Sequence, residues 1–157
     1  MKKHFQYLSY ILRHKWYVFN ECRKQGIFWL GIIHDWSKFL PDEWIPYANC
    51  FYGKSKKNIR DETRYYKPYN TDDSKFDFAW FLHQKRNKHH WQYWTFPKDD
   101  GNIKIFNMPI KYRKEMLADW IGAGKAKKSL DEKAWYDENK NKIKLHYQTR
   151  NWIEDRI

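Results

Sequence analysis

Apolar side chains recur at helical spacing from the start of the chain. Tyr7, Leu8, Ile11, Leu12, Val18, Phe19 and Cys22 fall on one wide face, which predicts a helix over 4–25 stopped by Gly26. A mostly apolar run from Ile27 to Ile33 follows and ends in His34-Asp35-Trp36-Ser37-Lys38; beside helical neighbours it predicts a second helix over 27–38. Pro41 and Pro46 frame a short stretch with a helical turn at 42–50. Residues 53–73 are polar, mixed in charge and without period, which predicts a long loop of the kind that serves as a lid. A third helix is expected over 74–94. Asp99-Asp100-Gly101 and the alternation from Asn102 to Phe106 leave room for a small hairpin. Pro109 suits the first turn of a fourth helix over 109–127. Ser129 followed by Glu132 forms a capping-box pattern ahead of a last helix over 130–153. The expectation is an all-α single domain over 1–157, with five main helices, one long loop and a small β-hairpin.

Composition narrows the class. With 157 residues, 41% apolar and 20% aromatic, the chain can build an ordinary core and is unlike a disordered sequence. No apolar stretch approaches the roughly 20 residues that span a bilayer, so no membrane partner is expected. The two cysteines, Cys22 and Cys50, form neither a zinc-finger pattern nor a disulfide framework and read as reduced thiols of a cytoplasmic protein. The net charge of +12 points to an anionic partner, such as a nucleotide or nucleic acid, without choosing between them.

The candidate chemistry lies in histidines and aspartates. His34-Asp35 ends an apolar helix, where an imidazole nitrogen and a carboxylate oxygen side by side suit a transition metal better than calcium. His14 sits at the edge of the apolar face of the first helix. Asp119 borders an apolar face of the fourth, where a carboxylate must be paired, protonated or metal-bound. In the block His83-Gln84-Lys85-Arg86-Asn87-Lys88-His89-His90-Trp91, helical phase puts Phe76, Trp80, His83, Asn87, His90 and Trp94 on one face and turns His89 elsewhere. Residues seven apart on a helix are about 10.5 Å apart along its axis. His83 and His90 therefore share an ion only if the helix breaks between them. The bland alternatives are a dipole-favoured histidine at a helix end, an Arg- or Lys-paired aspartate and an aromatic core stripe with two amphipathic histidines.

The order His14, His34-Asp35, His83 and His90, Asp119 resembles the HD-domain superfamily of metal-dependent phosphohydrolases. Residues 34–38 look like its His-Asp-x-Gly/Ser-Lys signature and Ala118-Asp119 like its closing Ala-Asp. The whole chain also resembles an uncharacterised family of phages and bacteria through HDWSKF (34–39), HQKRNKHHWQYW (83–94) and EMLADWIGAG (115–124). The first resemblance implies an HD-like helical bundle that holds one or two ions of Mn, Fe, Co, Ni or Zn. The ligands implied are His14, His34, Asp35 and Asp119, joined by His83 and His90 if there are two ions. It implies hydrolysis of a nucleotide or similar small phosphate ester, with Asp35 orienting water, Glu43 as general base and Lys38 offsetting phosphate charge. Lys38, Lys85, Arg86, Asn87 and Trp91 are the expected substrate contacts. Two other readings stand beside it: a non-catalytic basic module for nucleic acid, and an HD-fold di-iron oxygenase.

Overall fold

The computed structural model describes residues 1–53, 62, 73–127 and 131–157. Among them are seven α-helices: α1 (Lys2–Lys24), α2 (Phe28–Ile33), α3 (Pro41–Tyr52), α4 (Ser74–Arg86), α5 (Ile110–Lys127), α6 (Glu132–Asn139) and α7 (Tyr147–Glu154). Short 3₁₀ turns cover Trp36–Phe39 and Trp91–Trp94. The strands β1 (Thr95–Pro97) and β2 (Ile103–Ile105) form an antiparallel hairpin pairing Thr95 with Ile105 and Pro97 with Ile103. Gly101 takes the positive φ of 82° that this turn requires. The protein is mostly α, as its periodicity predicts.

α1 is the central element. It buries Tyr7, Ile11, His14, Val18, Glu21 and Cys22, and it packs against α2, α3 and α5. Tyr7 and Ile11 join Tyr47, Ala48, Phe76 and Ala79 in one apolar cluster, while Val18 and Cys22 meet Ala118 of α5 in another. A third cluster, with Met108, Met116, Leu117, Tyr136, Ile143, Leu145 and Ile153, ties the C-terminal helices to α5. His14 thus sits on α1 between two apolar anchors, facing the helix that carries Asp119.

Three predicted helices are corrected, each by a polar side chain that claims backbone groups. The helix expected over 27–38 stops at Ile33, because Lys15 of α1 donates to the carbonyls of Ile32, at 3.2 Å, and of His34. Asp35 then takes a left-handed conformation, φ 53°, which aspartate tolerates better than most residues. The helix expected to reach residue 94 stops at Arg86. Asn87 caps it, donating from Nδ2 to the carbonyl of His83 at 2.8 Å and to Ser37 Oγ at 2.7 Å. The last predicted helix is two, α6 and α7. Arg150 reaches back to the carbonyls of Lys140, at 3.4 Å, and Ile143, at 2.7 Å, and holds the intervening chain out of helical register. Conversely, the helical turn at 42–50 is a full helix from Pro41 to Tyr52, with proline at its first turn. The lid expected over 53–73 and the Ser129 cap fall largely or wholly outside the described residues. Asp131 caps α6, its carboxylate accepting from the backbone N–H of Lys133 at 2.9 Å.

Candidate metal centre

The turn after α2 places His34 and Asp35, 1% exposed each, under α1 and α5. There His14 Nε2 lies 3.3 Å from His34 Nε2, 3.4 Å from Asp35 Oδ2 and 3.2 Å from Asp119 Oδ1. His34 Nε2 lies 3.4 Å from Asp35 Oδ2 and 3.4 Å from Asp119 Oδ1. Five of the six separations among these four donor atoms are thus 3.2–3.4 Å, and all four lie within 4.8 Å of one another. The centre of a tetrahedron with edges of about 3.3 Å is about 2.0 Å from each corner, the length of a zinc–nitrogen or zinc–oxygen bond. Two imidazole nitrogens facing each other can share at most one proton, whereas an ion between them would accept from both.

A second group adjoins the first through the other oxygen of Asp35. His83 Nε2 is 3.3 Å and His89 Nε2 3.4 Å from Asp35 Oδ1, and the donor atoms of Asp35, His83, His89 and His90 all lie within 4.8 Å of one another. Asp35 Oδ1 and the Nε2 atoms of His83, His89 and His90 are buried and make no hydrogen bond. Four converging buried polar atoms left without donors or acceptors are costly unless something bridges them. The donor chemistry of both groups therefore fits a cation. Together they can hold metal, with Asp35 contributing one oxygen to each.

The outward nitrogens are fixed from behind. His34 Nδ1 donates to Glu115 Oε1 at 3.1 Å, and His89 Nδ1 stands 3.2 Å from the same oxygen. His83 Nδ1 donates to Glu43 Oε2 at 2.9 Å. A carboxylate on one ring nitrogen sets the tautomer that leaves the other free as a ligand. Burial opposes charge throughout, yet Asp35 with Asp119 and Glu115 outweighs it at His34, whose pKa is held well above the ordinary value. At Asp35 burial is overcome by His34, Lys38 and His83, and the carboxyl is held well below its usual range; at Asp119 His14 and His34 have the same effect. His90 goes the other way: burial, then the charges of His89 and His83, push it well below, so its imidazole stays neutral.

The structure brings His14, His34, Asp35, His83, His90 and Asp119 to one place, and Lys38 with them, its Nζ 2.6 Å from Asp35 Oδ2. His89, which a continuous helix would turn away, joins them because the helix ends at Arg86 and the chain folds back. The same break resolves the distance problem between His83 and His90. Glu43 does not face water: it is fully buried, with Oε2 taking Ser37 and His83 and Oε1 taking Arg86 at 2.9 Å. It orients an imidazole and is not placed to act as a base. Arg86 is forked onto Asp42, at 2.8 and 2.6 Å, and donates to Glu43 Oε1 as well. Asn87 is buried and caps α4; Trp91 packs on the C-terminal cluster; Lys85 donates to the carbonyl of Gln92 at the surface. None of these four is among the ligand groups that converge on Asp35. Sequence reasoning missed Glu115 as well as His89, although Glu115 lies one helical turn before Asp119 and therefore on the same face.

Fold and site together define a mostly helical protein built around a buried histidine–aspartate centre able to hold metal. The chain belongs to a family of unknown function, DUF5662, whose model matches residues 3–157. No curated protein and no solved structure matches it. Among the described residues no helix is long and apolar enough to cross a membrane.

Proposed function

We propose that the protein is a metal-dependent phosphohydrolase acting on a nucleotide or a similar small phosphate ester. The observation that carries this reading is Asp35, whose two oxygens serve two adjoining groups of buried, converging ligands. The first position would be held by His14, His34, Asp35 and Asp119, the second by Asp35, His83, His89 and His90. Divalent ions there would supply Lewis acidity toward a phosphoryl oxygen and a more acidic water. The order of these residues along the chain, with Lys38 following the His-Asp pair, resembles that of the HD-domain phosphohydrolases and supports the same reading.

The chain's own groups define how a substrate would meet the centre. Asp119 and Lys38 are partly open, with side chains 16% and 14% exposed, and His90 is half-buried as well. The opening is therefore on their side. Lys38, its ammonium held protonated by Asp35 despite burial, gives that opening a positive charge suited to phosphate. Trp36, half exposed beside it, offers an aromatic face to a base. The buried walls formed by His34, His83 and His89 exclude bulk water from the far side.

The test is reconstitution of metal-stripped protein with Mn²⁺, Co²⁺ or Fe²⁺, followed by release of phosphate or nucleoside from a panel of nucleotides and phosphodiesters. Turnover by the wild type that is absent in Asp35→Asn is the expected result. No turnover of any phosphate ester by fully loaded protein overturns the proposal. The three imidazoles of the second position accommodate iron as well as zinc or nickel, which leaves a di-iron oxygenase as the second reading. Oxygen uptake by the iron-loaded protein, without phosphate release, would select that chemistry instead.

A further inference from the structure

Glu115 stands outside both ligand groups proposed above, yet it reaches each of them. Its Oε1 lies 3.1 Å from His34 Nδ1 and 3.2 Å from His89 Nδ1. His34 belongs to the first position and His89 to the second, and their rings are 4.3 Å apart at 37°. We propose that Glu115 is the positioning residue that couples the two positions. The proposal rests on the reading of the site as a two-ion centre.

The argument is geometric. An imidazole that donates from Nδ1 has its lone pair on Nε2, on the far side of the ring. One carboxylate oxygen receiving both Nδ1–H groups therefore fixes two tautomers and two ring orientations at once. It aims His34 Nε2 toward His14 and Asp119, and His89 Nε2 toward the oxygen of Asp35 that His83 also faces. An ion in either position pins one ring, the ring pins the Glu115 oxygen, and that oxygen pins the other ring. The ordering cost of the second position is then partly met by filling the first, which is positive cooperativity. Glu43 supplies the contrast. It orients His83 alone, by a 2.9 Å contact to Nδ1, and touches no ligand of the first position.

The experiment titrates metal-stripped full-length protein with Co²⁺, read by the cobalt visible absorption band and by elemental mass spectrometry. Wild type is expected to bind two equivalents cooperatively. Glu115→Gln is expected to raise both dissociation constants by about 10–100-fold, the usual cost of losing a ligand's supporting carboxylate, and to abolish the cooperativity. Glu43→Gln is expected to weaken the second position directly and to leave the cooperativity in place. Melts of each variant in EDTA separate loss of positioning from loss of fold. A readout independent of any variant is histidine NMR of the zinc-loaded wild type, in which His34 and His89 should both carry the proton on Nδ1. If Glu115→Gln loads normally or weakens a single position, or if either ring is protonated on Nε2, the coupling is overturned while the two-ion centre stands. A wild type that takes up no cobalt removes the centre itself, and the coupling with it.

Discussion

Gly122 of α5 lies directly against Val18 of α1. A Cβ at Gly122 would stand 2.5 Å from Val18 Cγ2 and 2.9 Å from the Val18 backbone nitrogen. One turn earlier on each helix, His14 meets Asp119 at 3.2 Å. The closest approach of the two helices is therefore what brings a ligand from the first part of the chain against a ligand from the second.

Gly122→Ala should separate them. A side-chain rotation cannot relieve contact with a backbone atom, so the helices must move apart, at a cost of about 1–3 kcal/mol. Urea melts in EDTA should show that loss. Cobalt affinity should fall as well, because His14 and Asp119 move apart with their helices. An unchanged melt and unchanged affinity would refute this account of the packing.

Asp35→Asn separates conformation from ligation. Asparagine tolerates the left-handed backbone as well as aspartate does, so the turn after α2 should survive. The carboxylate charge that both groups share is lost, and one of its two oxygens becomes an amide NH2 that cannot bind metal. The variant should keep its helical circular dichroism and lose at least one equivalent of bound metal in elemental analysis. Retention of both equivalents would show that Asp35 is not shared.

The two positions should be separable from their outer ends. Asp119→Ala removes a ligand from the first group only, and His90→Ala one from the second only. Each variant should retain about one equivalent of Co²⁺ where the wild type holds two. Both variants binding two, or either binding none, would contradict the assignment.

Metal uptake should release protons. His34 and His89 have pKa values above the ordinary value: burial opposes it, but Asp35, Asp119 and Glu115 prevail at His34, and Asp35 and Glu115 at His89, where His34 also repels. A raised pKa leaves these rings protonated in the metal-free protein below that pKa, and an ion must displace those protons to bind. Apparent affinity should therefore rise with pH through neutrality and level off above the folded pKa values. Calorimetry in buffers of different ionisation enthalpy measures the release; no buffer dependence near neutral pH would argue against protonated rings.

Cys22 should be inert in the folded protein. It is fully buried beside Val18 and Ala118, and burial pushes its thiol up to about 12, with Glu115 and Asp119 adding to the rise against the opposing His34. Cys50 is buried as well. A disulfide reagent at pH 8 should label neither quickly, and both on addition of denaturant. Rapid labelling of native protein would contradict this burial.

Much of the site is legible because its ligands sit at fixed phases of helices that do form. His14 shares the face of Tyr7, Ile11 and Val18 on α1, and Asp119 borders the buried face of α5, so periodicity places both near the core. Periodicity fails at the histidine block. Helical phase extends through Trp94 and turns His89 away, whereas Asn87 ends the helix by taking the His83 carbonyl and contacting Ser37, a residue fifty positions earlier. Glu43 reads from sequence as a free carboxylate near the His-Asp pair. Only its contacts with Ser37, His83 and Arg86 show that both oxygens are engaged.

The sequence alone determined a mostly helical protein, the helices that carry His14 and Asp119, and the ligand types, because amphipathic spacing and donor chemistry are local properties. Tertiary structure decided where helices stop, which histidines converge, and which carboxylates stand against their outward ring nitrogens. Those outcomes depend on long-range hydrogen bonds, from Lys15 to the end of α2, from Asn87 to Ser37 and from His34 to Glu115, which no window along the chain contains.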